Sequence, residues 1–208
     1  MEKADLYTTD IAYHRYFSET ECRKCGLQSC KDLIELIMAG SSPVTCLSSS
    51  LGPKLQSLKA TIKLAENLPE TPKITLPRPV PAELIEINNP KDGDPILVTA
   101  NNQFTQEVIL TVLSTTVSPF FVVFTETQGD TLDMAVILGT FNAETVQDSI
   151  CNTSLDKIAE YSPLIIPGKA EKFAQKIQNS CQRKVITGPV CIAELPLFLG
   201  TEWKQENS

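Results

Sequence analysis

The chain has 208 residues, 42% of them hydrophobic, and a formal net charge of −7. That is enough for one sizeable core plus a small satellite, and an acidic balance without a basic stripe argues against a nucleic-acid partner. The longest apolar run, Met134 to Leu138, is too short to cross a bilayer, and MEKADLYTTD lacks a cationic stretch leading into an apolar one. The expected location is therefore cytoplasmic, away from any membrane.

Residues 1–50 carry the first chemistry-bearing pattern. Cys22, Cys25, Cys30 and Cys46 read C-x2-C-x4-C-x15-C. Such spacing lets soft thiolates surround a compact iron–sulfur cluster, and four cysteines suit a [4Fe-4S] cluster. Gly26 lets the backbone approach closely, and Pro43 turns the chain so that Cys46 can return. Cys30 opens the run Leu33, Ile34, Leu36, Ile37 and Met38, closed by Gly40, which predicts a short helix with a thiolate at its positive end. A structural zinc site is the alternative, weakened by the single C-x2-C knuckle, and unliganded thiols are a third. Cys151, Cys181 and Cys191 read as core residues, and an odd total of seven cysteines excludes a complete disulfide framework.

Residues 51–94 read as a connection. Leu55, Leu58 and Ile62 predict a helix ending near Asn67, followed by Pro69, Pro72, Pro77, Pro79 and Pro81 in an extended, semi-rigid linker.

Residues 95–208 alternate between short apolar runs and helical periodicity. Strands are predicted at Ile96-Leu97-Val98, Phe120 to Phe124, Leu164-Ile165-Ile166 and Val185-Ile186. Helices are predicted around Phe104, Val108 and Val112, through Met134 to Leu138 and Leu155 to Tyr161, through Ala170 to Ile177, and from Cys191 to Leu199. Fully apolar strands imply a mostly parallel sheet covered on both faces, a doubly wound α/β domain.

Ligands of such sheets bind at the carboxyl ends of the strands. Those ends carry Thr99 and Asn101, Thr125 with Gly129 and Thr131, Pro167-Gly168, and Gly188-Pro189. They suit a flat ligand rich in amide groups; singly, each is also an ordinary turn former. Neither GxGxxG nor GxxxxGK[ST] occurs, and His14 is the single histidine. Dinucleotide loops, nucleoside-triphosphate loops and a Ser-His-Asp triad are therefore not expected.

At this point the chain resembles the large (gamma) subunit of the corrinoid/iron–sulfur protein of the acetyl-CoA synthase/decarbonylase pathway. The matching stretches are the cysteine module, DPILVTAN (Asp94–Asn101), FFVVFTETQGDTLDMAVILGTF (Phe120–Phe141), LIIPG (Leu164–Gly168) and VITGPVCIAELPLFL (Val185–Leu199). The resemblance implies a methyl-group carrier of anaerobic one-carbon metabolism whose cofactors are a [4Fe-4S] cluster and a corrinoid (cobalamin), bound base-off. It adds Leu132, Met134, Ala135 and Gly139 to the expected corrinoid contacts. It implies as partners a methyltransferase, an electron-donor protein and a small subunit forming a heterodimer. The chain departs from the family in lacking its central barrel, and in placing Met134 where the methyl carrier has Thr. It leaves open a second class, an iron–sulfur electron-transfer or docking protein that has lost the corrinoid, with bulky Val136, Ile137 and Leu138 crowding the ring. A redox-sensing assembly factor is a third. The proline-rich linker is expected to let the cluster module swing.

Overall fold

The structure is a computed structural model in which residues 2–24, 26–41, 51–73 and 76–205 are described. A mostly parallel five-stranded sheet organises the chain. Its strands are β1 (Leu84–Ile87), β2 (Ile96–Ala100), β3 (Phe120–Thr125), β4 (Leu164–Ile166) and β5 (Val185–Thr187), in the order β1-β3-β2-β4-β5. Strands β2, β3, β4 and β5 run parallel, and β1 adds antiparallel to β3 at the edge.

The central strands β2, β3 and β4 are buried along their whole length. With period-two side chains, that requires cover on both faces. One face packs Ile96, Val98, Phe121, Val123, Leu164 and Ile166 under α5 (Leu132–Leu138), α6 (Ala143–Asn152) and α8 (Ala174–Cys181). The opposite face packs Leu97, Phe120, Val122, Phe124 and Ile165 under α4 (Gln103–Leu113) and the turn of α9 (Leu195–Leu199). Asn102 starts α4: its side-chain oxygen accepts from the amides of Phe104 at 2.9 Å and Thr105 at 3.3 Å. A short α7 (Leu155–Ile158) joins α6 to β4. The predicted C-terminal helix from Cys191 is a 3-10 turn, Ile192–Glu194, feeding α9, in which Pro196 occupies the first turn.

Two readings of the connection are corrected. Leu84–Ile87, assigned to the linker, is a sheet strand, because Leu84 and Ile85 find an open edge of β3 at Val123 and Val122. The cysteine module, expected to swing on the linker, is packed against the sheet domain in this structure. Its core of Phe17, Cys22, Cys30, Leu33 and Ile37 closes on α3 (Gly52–Glu66) through Leu55 and Leu58, and includes Leu197 of α9. The Tyr16 hydroxyl donates to the buried Glu194 carboxylate at 2.7 Å across the same junction.

Candidate functional site

Strand pairing builds the first site. The β2–β3 ladder runs on to Ala100↔Thr125, whereas the β2–β4 ladder ends at Leu97↔Ile165. The chain leaves β2 for β3 on one side and returns to β4 on the other, so β2 and β4 flank the topological switch point. Beyond the last ladder pair they diverge, and a crevice opens at their carboxyl ends. There lies a cavity of about 540 Å³. Leu97, Val98, Ile165 and Ile166 form its apolar floor, and Phe104 and Val108 of α4 form a wall.

Of the residues expected on this rim, Thr99, Thr131, Leu132, Met134, Pro167, Gly188 and Pro189 line the cavity. Met134 is 42% exposed, at the mouth. Ile137 and Leu138 face solvent, at 72% and 59% exposure, whereas Val136 is buried, so only the former two stand proud of α5.

The remaining expected residues lie around the cavity rather than on its wall. Asn101 is fully buried, and its oxygen accepts from the Thr127 amide at 2.8 Å, the Thr127 hydroxyl at 2.9 Å and the Gly129 amide at 3.3 Å. Its amide nitrogen donates to the Val80 carbonyl at 3.0 Å and to Glu126 at 3.1 Å. Thr125 is buried, with a hydroxyl that finds no partner among the described residues. Ala135 is buried on α5, and Gly139 ends that helix in the left-handed region. Gly168 packs against its own chain: a β-carbon there would lie 2.9 Å from Val190, and one on the cavity-lining Gly188 would lie 2.9 Å from Ile165.

Sequence reasoning missed the groups that close the mouth. Ala4, Leu6, Tyr7, Thr71, Pro72 and Lys73 line the cavity from segments assigned to the cysteine module and linker. The Tyr7 hydroxyl donates to the Asp133 carboxylate of α5, and the Lys169 ammonium sits 4.0 Å from the Tyr7 ring centroid. Burial, and after it the Asp133 carboxylate, raises the Tyr7 phenol above its ordinary range, so it remains a donor. No local pattern marks such contacts; Asp133 alone carried a signal, as an acid in the first turn of a helix.

The second site is the cysteine pair. Ser29 and Asp32 form a capping box at the start of α2 (Cys30–Met38), which places Cys30 on its first turn. The Cys22 thiol donates to the Cys30 sulfur at 2.9 Å, and the Cys30 thiol to the Phe17 carbonyl at 3.6 Å. Cys25 and Cys46 lie outside the described residues. Among the described residues no group of three or more metal-ligating side chains converges. Burial, and after it the Cys30 sulfur, pushes the Cys22 thiol up to about 12.

This module is braced by a charge. The Glu21 carboxylate of α1 (Glu19–Lys24) accepts from Lys54 of α3 at 2.7 Å and from the Ser18 amide at 2.9 Å. Lys54 first, then Ser18, hold Glu21 at about 2 instead of 4.5. The carboxyl is depressed in the folded state, so its contribution is complete above 4.5 and is lost as pH falls towards 2. Lys54 is 45% exposed, so solvent screening limits the contribution to about 1 kcal/mol or less. The stability gap between wild type and Glu21→Gln, read by urea denaturation, should shrink across that pH window.

An open, doubly wound α/β sheet with a cavity at its switch point is the arrangement in which such folds commonly seat a ligand, at the carboxyl ends of the strands. The family described as CO dehydrogenase/acetyl-CoA synthase delta subunit matches residues 52–199, well over half of the chain, and the chain belongs to it. It is 29% identical over 126 residues to the acetyl-CoA decarbonylase/synthase complex subunit gamma of Methanopyrus kandleri, covering 61% of this chain and 27% of that protein. The gamma subunit of Archaeoglobus fulgidus is 27% identical over 143 residues, covering 69% of this chain and 30% of the relative. The gamma 2 subunit of Methanosarcina thermophila is 24% identical over 144 residues, covering 68% and 30%. The chain thus spans under a third of the length of each of these relatives. No helix among the described residues is long and apolar enough to cross a membrane.

Proposed function

We propose that this chain is a corrinoid- and [4Fe-4S]-binding carrier module acting in the acetyl-CoA pathway. The observation that carries the reading is the switch-point cavity, whose wall is built largely from the family-matched stretch. Thr99, Thr131 and the main chain at Pro167 and Gly188 would meet the ring's amide arms, with Leu132 and Met134 beneath its apolar face. When bound, the corrinoid supplies a cobalt centre that takes up and hands on a methyl group. The chain's residues position it and exclude water; no histidine approaches, since His14 is exposed on a 3-10 turn of the cysteine module. Cys22, Cys25, Cys30 and Cys46 would hold the cluster as a one-electron store. The donor chemistry fits: two soft sulfurs already converge in an apolar pocket. A methyltransferase and a reductant are the partners this reading requires, and a second subunit the partner its relatives' complex suggests.

The cavity, at about 540 Å³, is within the range for a drug-sized ligand. That modest size favours, as the second reading, an iron–sulfur docking or electron-transfer protein without corrinoid.

The deciding experiment is anaerobic reconstitution with iron, sulfide and excess hydroxocobalamin, then desalting and ultraviolet–visible spectroscopy. The expected spectrum retains base-off corrinoid bands beside broad cluster absorption, and Cys22→Ser loses the latter. Cluster absorption with no retained corrinoid establishes the second reading.

A further inference from the structure

The cavity is lined on one side by the chain's own N-terminal segment, through Ala4, Leu6 and Tyr7. The Ala4 amide donates to the Thr71 carbonyl at 2.8 Å, and the Lys73 amide to the Glu2 carbonyl at 2.9 Å. Lys3 bridges Pro72 between them, so residues 2–4 and 71–73 form a short ribbon, with Ala4, Thr71, Pro72 and Lys73 on the cavity lining. Leu6 and Tyr7 both take left-handed conformations, φ 51 and φ 62, and this reversal turns Tyr7 onto Asp133 and Lys169. Beyond Tyr7 the chain forms a self-contained turn: the Asp5 carboxylate accepts from the hydroxyls of Thr8 at 2.8 Å and Thr9 at 2.7 Å. Ile11, 7% exposed, then anchors the chain in the sheet core.

We propose that residues 2–7 are a strap, latched by Tyr7 to Asp133 and Lys169, that closes the switch-point cavity and must lift before a corrinoid-sized ligand enters. Three features support this. The strap makes shallow contacts: Glu2, Lys3 and Asp5 are exposed, and Ala4, Leu6 and Tyr7 are only partly buried. Its two ion pairs, Lys73 with Glu2 at 2.7 Å and Lys3 with Glu70, join side chains 58–76% exposed, weak ties. Segments with few buried contacts and backbone held out of its ordinary region occupy the low-stability end of a fold. The latch also falls on the ligand's own ground. Asp133 precedes Met134 and Lys169 follows Gly168, so strap and ligand compete for one rim, and a strap that gives way only to a tight ligand is an autoinhibitory gate.

The gate rests on the proposed function only for the identity of the ligand, and the test separates the two. Cavity access is read without corrinoid, as the N-ethylmaleimide labelling rate of the thiol introduced by Thr99→Cys, followed at that peptide by mass spectrometry. Adding Tyr7→Phe, which removes only the phenolic donor, should speed labelling several-fold. Adding Lys169→Met as well should bring the increase to about tenfold, the equivalent of losing one charge-assisted bond. Equal rates in all three backgrounds overturn the gate. Should the double variant fail to fold, the near-isosteric Tyr7→Phe comparison decides alone. Hydroxocobalamin association is then measured by stopped flow with Thr99 restored. Faster association in the latch variants supports gate and ligand together. Faster labelling with no corrinoid bound by any variant keeps the gate and overturns the corrinoid reading. Binding at one rate in wild type and variants keeps the corrinoid and overturns the gate.

Discussion

Asn101→Ala is expected to lower the unfolding free energy by about 4 kcal/mol and to dismantle the rim of the cavity. Asn101 is fully buried, and its two side-chain atoms serve five partners, on Val80, Glu126, Thr127 and Gly129. Alanine leaves the Thr127 and Gly129 amides without that acceptor in a place water does not reach. Each buried unsatisfied group costs about 1–3 kcal/mol, and the loss of two sums to the expected effect. Urea denaturation measures the total. Hydrogen exchange locates it: the Thr127 and Gly129 amides should exchange much faster while those of β2 and β3 change little. Asn101→Asp keeps the acceptor and loses both donors, so those two amides should remain protected in that variant. A loss below about 1 kcal/mol for the alanine variant would show that the loop holds its shape without this hub.

Gly129→Ala should cost about 3 kcal/mol, and Gly139→Ala only about 1. Both glycines sit in the left-handed region, at φ +77 and φ +78, where a β-carbon carries the same conformational penalty. Their surroundings differ. A β-carbon at Gly129 would lie 2.3 Å from the Pro79 nitrogen and 2.7 Å from its α-carbon, whereas nothing lies within 4 Å at Gly139. Backbone cannot step aside as a flexible side chain does, so the alanine must push Pro79 off the rim. That breaks the Arg78 amide bond to the Gly129 carbonyl, 2.8 Å, and frees the segment that crosses there. Denaturation of the two variants side by side isolates the close approach from the conformational term. Equal losses would sink the argument that Gly129 is required by contact with Pro79.

The comparison of sequence and structure turns on the same residues. Gly129, Asn101 and Thr125 were legible as residues at or just after the end of an apolar strand, and the structure sets them around the cavity but off its wall. Their side chains were not legible. Whether a buried amide faces a ligand or the neighbouring loop depends on which loop folds over it, and the loop over Asn101 comes from Val80, twenty-one positions away. Proline-rich sequence around that residue reads as a spacer because proline donates no hydrogen bond. Yet the Val80 amide donates to the Asn101 carbonyl at 2.9 Å, and the segment lies pinned across the sheet end.

The sequence by itself determined the α/β character of this protein, its parallel strands and the positions of their carboxyl ends. These follow from fully apolar runs alternating with helical periodicity, signals carried within a few consecutive residues. It also marked the cysteines, since ligand spacing is local too. Tertiary structure alone decided that Leu84–Ile87 completes the sheet, that Leu197 is buried in the cysteine module, and that Tyr7 meets Asp133, 126 positions away, at the cavity. The physical reason is shared. Each depends on an edge, a hole or a donor left open by distant parts of the chain, and such openings exist only once the core has formed.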